Sequence, residues 1–392
     1  MFGRFTSRDN VALVGSVLGL STVLLGWLSL KPNRLFPGNG LSLWDSIDWG
    51  SATLVLLLWL VCLALSLNIK GRQQAILLGI TANLVLAATL LFFGIAASQI
   101  VNIEPEFSRV SPSAGIWLTL TAVYVLVFAA RQRLPAGDIW RHFIFWTGPA
   151  VLVILLLSGW LNDISIMVEF SGRSERFFQE LWQHIFLFGT SVIIGSVIGI
   201  WLGIWATRSR RVERPVFFLS NITQTIPSLA LFGLLIAPLS ALSLAFPFLR
   251  ELGIRGIGAT PALIALVIYS LLPIMRNTFV GLRQVDPAAI DAGLGMGMSR
   301  HQLFRRVEMP LAAPLVAEGV RIASVQSVGL AAVAALIGAG GLGFFIFQGF
   351  GSSTDLILLG AIPIIILALV VDAVMRLVVR LVTPKGMAGG AA

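Results

Sequence analysis

The sequence predicts an all-α protein that crosses a membrane many times. Of its 392 residues, 57% are hydrophobic and 11% are charged, whereas a soluble domain carries about 25% charged residues. The hydrophobic residues are gathered into long uninterrupted runs, each about as long as a helix that spans a bilayer. Because backbone polar groups in lipid must be hydrogen-bonded within the protein, we expect these runs to be helical.

Ten segments are long and apolar enough to be membrane spans. The first is longer than the core of a signal peptide, so we expect it to be retained as a span. A polar loop at 162–184 separates five spans from the next five, and part of it could lie on the membrane surface as an amphipathic helix. The predicted spans are 11–30, 51–67, 75–98, 114–130, 143–161, 185–206, 216–240, 259–275, 315–337 and 356–379.

This arrangement predicts three parts of the chain. The first is an N-terminal extension of five spans with its external loop, residues 1–180. A core of five spans follows at residues 181–383, and residues 384–392 form a short tail. The core is richer in helix-interrupting and polar residues, which indicates that it carries the function of the protein.

The basic residues are distributed unevenly over the predicted loops. If the N-terminus is cytoplasmic, 19 of the 27 Lys and Arg residues fall on the cytoplasmic side and Arg321 falls within a span. Because cytoplasmic loops are enriched in Lys and Arg, both termini are expected in the cytoplasm. The net charge of +9 then reflects loops beside anionic lipid and not a nucleic-acid partner. The opposite side holds Lys31, Arg34, Arg109, Arg173, Arg176, Arg250 and Arg255.

The sequence contains no recognisable enzyme motif. Cys62 is the single cysteine and lies in an apolar run, and the three histidines are scattered along the chain. No phosphate-binding loop of the Walker type is found, nor a nucleophile–base set or metal cluster at membrane depth. We therefore expect no catalytic residue, metal or cofactor. If transport uses ATP, a separate subunit must hydrolyse it.

The segment 286–310, DPAAIDAGLGMGMSRHQLFRRVEMP, joins the eighth span to the ninth and is too charged to lie in lipid. We expect a short cytoplasmic helix that leads directly into the ninth span. Small side chains would let this helix lie in a cleft of a partner, and Pro310 and Pro314 would kink the chain back toward the membrane. The alternative is an ordinary basic loop. The residues assigned to this coupling surface are Ala289, Asp291, Ala292, Gly293, Gly297 and Pro310.

The seventh predicted span contains NITQTIPS, in which polar residues recur at helical spacing beside a proline. Polar side chains and broken helices at membrane depth usually face a bundle interior or a watery path. One interpretation of Asn221, Gln224, Thr225 and Pro227 is therefore the wall or gate of a path. The other is that they join neighbouring helices. Gln326 in the ninth span has the same two interpretations.

A glycine cluster follows the ninth span, at Gly338, Gly340, Gly341 and Gly343. Because glycine adopts backbone conformations closed to other residues, we expect a flexible hinge that lets residues 344–354 fold back or rearrange. The alternative interpretation is a flexible turn without a functional role.

Two pairs of opposite charges lie near span ends. Glu318 and Arg321 are three residues apart, and Asp372 and Arg376 are four apart. Both spacings bring side chains together on one helical face, so we interpret them as structural ion pairs.

The residue types and spacing of the coupling segment match those of a known motif. Asp291-Ala292-Gly293 is followed by three residues and Gly297, then by nine residues and Val307-x-Met309-Pro310. This resembles the EAA loop of ABC-importer permeases, in which glutamate stands at the position of Asp291 and alanine at that of Gly293. ALIGAGGLG at 335–343 follows at a fitting distance.

Two further segments, NITQTIPSLALFGLLIAP and TPALIALVIYSLLPIMRNT, narrow the resemblance to one branch of this family. Residues 185–382 look like the osmoprotectant branch of type I ABC-importer permeases, which moves glycine betaine, carnitine, choline or proline betaine. The first five spans resemble the extended permease of the Yeh-type glycine betaine importer, through PNRLFPGNG and SGWLNDISIM.

This resemblance implies a bacterial inner-membrane permease with several partners. It implies two ATP-binding subunits that grip the coupling helices, a periplasmic substrate-binding protein and a second, shorter permease that completes a heterodimer. The glycine cluster would belong to the external gate. Two other hypotheses remain: an ion-coupled secondary transporter, although no isolated membrane-centre carboxylate or inverted repeat is visible, and a scaffold that only anchors partners.

Overall fold

The computed structural model describes residues 9–67, 71–103, 108–384 and 386. Its contacts divide the chain into two compact units, the first ending at Gly172 and the second beginning at Arg173. Within the described ranges, nine helices are long and apolar enough to cross a membrane. The prediction of an all-α polytopic membrane protein is therefore confirmed. The predicted tail, 384–392, lies almost entirely outside the described residues.

The first unit is a helical bundle with a small sheet. A 3₁₀ turn, Thr22–Leu24, extends its first helix. Its helices are α1 (Asn10–Ser21), α2 (Leu43–Ser46), α3 (Trp49–Leu67), α4 (Arg72–Ile103), α5 (Ala114–Gln132), α6 (Ile139–Leu157) and α7 (Ser165–Ser171), and its strands are β1 (Leu28–Lys31), β2 (Asn39–Leu41) and β3 (Arg109–Pro112).

The sheet corrects the first predicted span. β1 lies in the centre and pairs antiparallel with both neighbours, so that Leu28 stands opposite Leu41 and Pro112. The chain is helical only from Asn10 to Leu24, which is shorter than the other spans. The prediction of a span at 11–30 was wrong at its end, because a short apolar run suits a buried strand as well as a helix.

Close packing and buried hydrogen bonds hold the first unit together. A Cβ on Gly19 of α1 would lie 2.0 Å from the ring of Trp59 on α3, which is fully buried. The Ser16 and Ser66 hydroxyls, both buried, are 2.7 Å apart. On α4, the Asn83 amide donates to the Ile144 carbonyl of α6 at 3.0 Å. Such small and polar contacts join helices where lipid offers no hydrophobic drive between them.

Ion pairs tie together the helix ends of the first unit that the predicted orientation places in the cytoplasm. Asp9 caps α1 and contacts Arg133 at 2.9 Å. Arg72, at the start of α4, contacts Asp138, the cap of α6, at 2.5 Å. The hydrogen bond from Arg72 holds the pKa of the Asp138 carboxyl below its usual value. These loops are thereby fixed to one another.

The second unit contains longer and more interrupted helices. A π-helical turn, Phe304–Glu308, precedes one of them and a 3₁₀ turn, Ala334–Ile337, follows it. The helices are α8 (Ser174–Arg208), α9 (Arg210–Thr225), α10 (Ser228–Ala245), α11 (Phe248–Glu251), α12 (Ala259–Arg283), α13 (Pro287–Gly295), α14 (Arg300–Leu303), α15 (Met309–Val333), α16 (Gly343–Gly349) and α17 (Thr354–Val382).

Helices α8 and α12 pack along a row of glycines spaced four residues apart. A Cβ on Gly195 would lie 1.8 Å from the Ser270 hydroxyl, and one on Gly203 would lie 2.6 Å from the Thr278 Cβ. Gly199 faces Ile274 between them, at 3.0 Å. Glycines at this spacing let two helix backbones approach closely. The α8–α12 pair forms the centre of the second unit.

Two predicted boundaries of the second unit were wrong. The loop expected up to residue 184 ends at Arg173, because α8 is one continuous helix of 35 residues. The boundary expected at residue 180, between the N-terminal extension and the core, falls inside this helix. The seventh span, expected at 216–240, is broken into α9 and α10 at Ile226 and Pro227. A proline disfavours helical geometry in the preceding residue, and Ile226 is extended, with ψ of 127°.

Candidate functional site

The segment 286–310 forms a helix, a turn and a second helix. The Asp286 carboxylate caps α13 by accepting from the Ala288 N–H at 2.9 Å. Gly297 has a φ of +80° and ends α13, since its N–H donates to Leu294 and that of Met298 donates to Gly293. This pair of bonds is the Schellman arrangement, which favours glycine at the left-handed position. The backbone therefore reverses at Gly297.

The second helix continues without a break into the membrane span. Ser299 and Gln302 cap it reciprocally, and the helix then runs from Arg300 to Ile337. The expectation that Pro310 kinks the chain back toward the membrane stays a prediction, since Pro310 stands in the first turn of α15 within this continuous helix. Proline has no N–H to donate into the helix, and the π-helical turn just before it, in which Met309 donates to Phe304, accommodates this loss within a continuous helix.

The coupling residues divide into buried and exposed groups. Gly293 is buried, and a Cβ on it would lie 2.6 Å from Leu303 Cδ1; its small size lets α13 pack on the second helix. Ala289 is half-buried, whereas Asp291, Ala292 and Gly297 are exposed. Leu294 and Met296, which the sequence interpretation missed, are 49% and 72% exposed. The exposed face of α13 and the turn after it therefore include these two apolar side chains beside Asp291.

A salt bridge connects the coupling segment to α8, and a second one joins α12 to α9. Arg208, at the end of α8, pairs with Glu308 of the π-helical turn, and its guanidinium lies 5.5 Å from the ring centre of Phe304. Arg283, at the end of α12, contacts Glu213 of α9 at 3.5 Å. Arg208 thus joins the end of α8 to the coupling segment directly.

Polar residues around the break between α9 and α10 have different environments. The Gln224 amide donates to the Tyr269 carbonyl of α12 at 2.9 Å, and the Tyr269 hydroxyl donates to the Ile226 carbonyl at 2.5 Å. These bonds join the broken helix to α12. Asn221 and Thr225 are exposed, and Pro227 is exposed beside them. Gln326 on α15 is half-buried.

The glycine cluster is a fixed turn in this structure. Gly338, Gly340 and Gly341 have φ values of +76°, +75° and +91°, a region that side chains disfavour. The Gly341 N–H donates to Glu180 Oε2 at 2.6 Å. A Cβ on Gly343 would lie 1.9 Å from the Ala332 carbonyl oxygen. The loop after α15 is therefore held by hydrogen bonds and close packing.

The charged residues of α15 and α17 form one network. Arg321 contacts Glu318 at 2.6 Å and Asp372 of α17 at 2.7 Å, and Asp372 also pairs with Arg376. The two ion pairs interpreted from the sequence are thus joined through Arg321. In the described part of the chain, no group of three or more His, Cys, Asp or Glu residues is placed to hold a metal ion.

These features define a class of protein: a polytopic membrane permease whose polar coupling segment leads into a membrane helix. Residues 195–385 match the family model described as "Binding-protein-dependent transport system inner membrane component". Residues 7–167 match the one described as "ABC transporter permease YehY, N-terminal domain". The chain belongs to the family of ABC-importer permeases, and it carries the N-terminal domain of the YehY type.

Curated relatives match slightly more than half of the chain. "Carnitine transport permease protein OpuCB" of Listeria monocytogenes is 41% identical over 224 residues, which cover 57% of this chain and 95% of the relative. "Osmoprotectant import permease protein OsmW" of Salmonella typhimurium is 39% identical, with 53% of this chain and 91% of the relative covered. "Glycine betaine/carnitine/choline transport system permease protein OpuCB" of Bacillus subtilis is 36% identical, with 53% and 88% covered.

Family membership settles the broad class of activity. The chain is a transporter permease and not an enzyme, and such permeases work with ATPase and substrate-binding partners. It is a multi-pass protein of the bacterial inner membrane.

Proposed function

We propose that this permease moves glycine betaine or a related quaternary-amine osmoprotectant into the cytoplasm, driven by ATP hydrolysis on a separate subunit. The observation that carries the proposal is the coupling segment, whose exposed helix is joined through one glycine turn to a continuous membrane helix. The relatives' names, which refer to carnitine, glycine betaine and choline, support the substrate class.

The complex we infer has two ATP-binding subunits, a second permease and a periplasmic substrate-binding protein. The exposed Leu294 and Met296 beside Asp291 give α13 an apolar surface with an acidic edge that suits a cleft in the ATP-binding subunit. A partner permease of shorter length would complete a heterodimer. Lipid would cover much of the remaining apolar helix surface.

Both termini lie in the cytoplasm in this proposal. The support is the excess of Lys and Arg on one side of the spans. The coupling segment falls on that side, where an ATP-binding subunit can reach it. Cysteine replacements of the half-buried Ser209 and the exposed Gly253, made in a Cys62→Ala background, test the assignment with a membrane-impermeant maleimide. Residue 253 is expected to react in intact cells and residue 209 only after lysis; the opposite pattern contradicts the orientation.

The site residues have three roles in this proposal. Asn221, Gln224, Thr225, Pro227 and Gln326 belong to the wall of the path, with Gln224 also holding the broken helix to α12. The glycine loop at 338–343 forms the external gate. The coupling residues Ala289, Asp291, Ala292, Gly293, Gly297 and Pro310 build or support the surface for the ATP-binding subunit. An ion-coupled carrier gains no support from the charged residues of α15 and α17 described above, because they are paired with one another.

Co-purification from native membranes tests the proposal. Subunits are identified by mass, and ATPase activity is measured with and without the binding protein and glycine betaine. We expect an ATPase and a second permease in the complex, with hydrolysis stimulated by the loaded binding protein. A chain that purifies without an ATPase contradicts the assigned role of α13. Stimulation by carnitine or choline alone would change the substrate and leave the mechanism in place.

A further inference from the structure

The beginning of α8 presents one side to the glycine loop and its flanks. The contacting residues recur at spacings of three, four and one, which place them on one helical face. Each reaches a different group between residues 328 and 348. Arg173 donates to Gln348 at 2.9 Å, Arg176 lies 4.6 Å from the Phe344 ring centre, Glu180 accepts from Gly341 at 2.6 Å, Gln183 donates to Ala339 at 2.9 Å, and His184 is 3.0 Å from the Val328 carbonyl.

Glu180 is the central group of this face. It is 3% exposed, and both carboxylate oxygens are engaged: Oε1 with Arg176 at 2.6 Å and Oε2 with the Gly341 N–H. A buried carboxylate is unfavourable unless it is paired and hydrogen-bonded. A Cβ on Gly340 would lie 2.9 Å from the same Oε2. Glycine at this position therefore leaves room for the carboxylate to reach the loop.

The two partners of Glu180 differ in how they are held. Arg176 stands four residues earlier on the same helix, so the ion pair persists when the loop moves. Gly341 lies 161 residues away along the chain and reaches Glu180 only while the loop is seated. Departure of the loop therefore breaks the Glu180–Gly341 hydrogen bond without leaving the carboxylate unpaired. That combination makes the contact specific and releasable.

We propose that Glu180 is a positioning residue of the external gate, which holds the glycine loop on α8 in the closed state and releases it when the path opens. The proposal rests on the proposed function, because it takes the glycine loop to be the gate. A gate that can be released must have two discrete states whose populations a partner shifts. The loaded substrate-binding protein is the partner that shifts them here.

Glu180→Gln tests the charge. Glutamine keeps one oxygen to accept from the Gly341 N–H, but that hydrogen bond would no longer be charge-assisted. Its N–H₂ group would then face the Arg176 guanidinium, which is also a donor, so the contact with Arg176 would be lost. We expect the ATPase activity of the assembled complex without binding protein to rise about ten-fold, the factor for one charge-assisted hydrogen bond. The maximal stimulated rate should change little.

Glu175→Gln is the matched control. Glu175 lies on the same helix, carries the same charge and is exposed, so this variant should behave as the wild type. A purely structural role for Glu180 predicts a different result: Glu180→Gln would lower basal and stimulated rates in the same proportion, together with the yield of folded protein. That result overturns the proposal.

A reversible cross-link tests the movement. A Cβ on Gly340 would lie 3.9 Å from the Gln183 Cβ, within the range of about 3.5–4.5 Å found in disulfides. Cysteines at both positions, in a Cys62→Ala background, should cross-link on oxidation and abolish uptake, and dithiothreitol should restore it. The reduced protein is its own reference for the strain of cysteine at position 340, and the two single-cysteine variants control for the oxidant.

Each outcome is informative. Fully cross-linked protein that still transports at the reduced rate, or a pair that never cross-links, overturns the movement of the loop while leaving the proposed function intact. Absence of ATP-driven uptake in the wild-type assembly removes the proposed function itself, and the gate role with it. Two results together support the role of Glu180 in the gate. Uptake is lost and recovered with the state of the cross-link, and Glu180→Gln raises the ATPase activity without binding protein relative to the stimulated rate.

Discussion

Gly297 is the residue on which the geometry of the coupling segment depends. Its φ of +80° costs a side-chain-bearing residue about 1–2 kcal/mol, although a Cβ there would meet no other atom within 4 Å. We expect Gly297→Ala to loosen the end of α13 and to lower ATPase stimulation by the loaded binding protein several-fold while the protein still inserts. Gly297→Asn should be milder, because asparagine tolerates this region.

Gly295→Ala is the control for that variant. Gly295 is also exposed, also meets nothing within 4 Å and has no positive φ. Since alanine favours helices over glycine by about 1 kcal/mol, this change should preserve or improve coupling. Equal effects of the Gly295 and Gly297 variants would show that the backbone conformation at Gly297 is unimportant.

Tyr269 is the second residue with a testable contribution. Its hydroxyl donates to the Ile226 carbonyl, which the break at Pro227 leaves without a helical partner. Tyr269→Phe should reduce the stability of the protein in detergent by about 0.5–1.5 kcal/mol, the net contribution of one hydrogen bond, measured as a lower thermal midpoint. Tyr124, the other of the two tyrosines, is 67% exposed, and Tyr124→Phe should leave the midpoint unchanged.

At the scale of the elements, the α8–α12 contact is the most sensitive to size. Gly203→Val would place methyl groups where Thr278 and the Met275 carbonyl already lie within 3 Å of a Cβ. Overpacking of this kind costs about 1–3 kcal/mol or more, so we expect a smaller monodisperse fraction on size-exclusion chromatography. Gly189 on the same helix faces nothing within 4 Å, and Gly189→Val should elute as the wild type does. A normal profile for Gly203→Val would contradict the close approach of the two helices.

The elements also show what could and could not be predicted from the sequence. Spans are easy to predict because composition alone specifies them, and nine helices of sufficient length lie in the described part of the chain. The strand at Leu28–Lys31 was missed because its apolar run also fits the end of a helix. Gly297 was assigned to the coupling surface for its small size, whereas in the structure its positive φ ends α13. The π-helical turn before Pro310 leaves no mark in the sequence.

The gate contacts could not have been predicted for a different reason. Glu180, Gln183 and His184 bond to backbone groups that lie 144 to 161 residues further along the chain. A backbone N–H or carbonyl is the same at every residue, so no sequence pattern identifies it as a partner. The glycines were recognised, and the conformational freedom of glycine predicted a flexible hinge. In the structure their loop is hydrogen-bonded to α8.

At the scale of the whole molecule, the two units are expected to fold separately. Each has its own buried core, and the two family models match on either side of Gly172. A protease site inserted between Gly172 and Arg173 should be cleaved in the purified protein without loss of helical circular dichroism. The same site inserted after Gly189, inside α8, should resist cleavage or cause unfolding. Unfolding after the cut at Gly172 would show that the units depend on each other.

Helix α8 is long enough to work as a lever. Its 35 residues extend about 52 Å at 1.5 Å per residue, well beyond the roughly 30 Å of bilayer hydrocarbon. Glu180 holds the glycine loop near one end, and Arg208 holds the coupling segment at the other, about 42 Å apart along the axis. A tilt of about 5° moves one end by about 4 Å relative to the other, which exceeds the length of a hydrogen bond. A rigid α8 would thus couple a small displacement of the coupling segment on one side of the membrane to the loss of the Glu180–Gly341 hydrogen bond on the other.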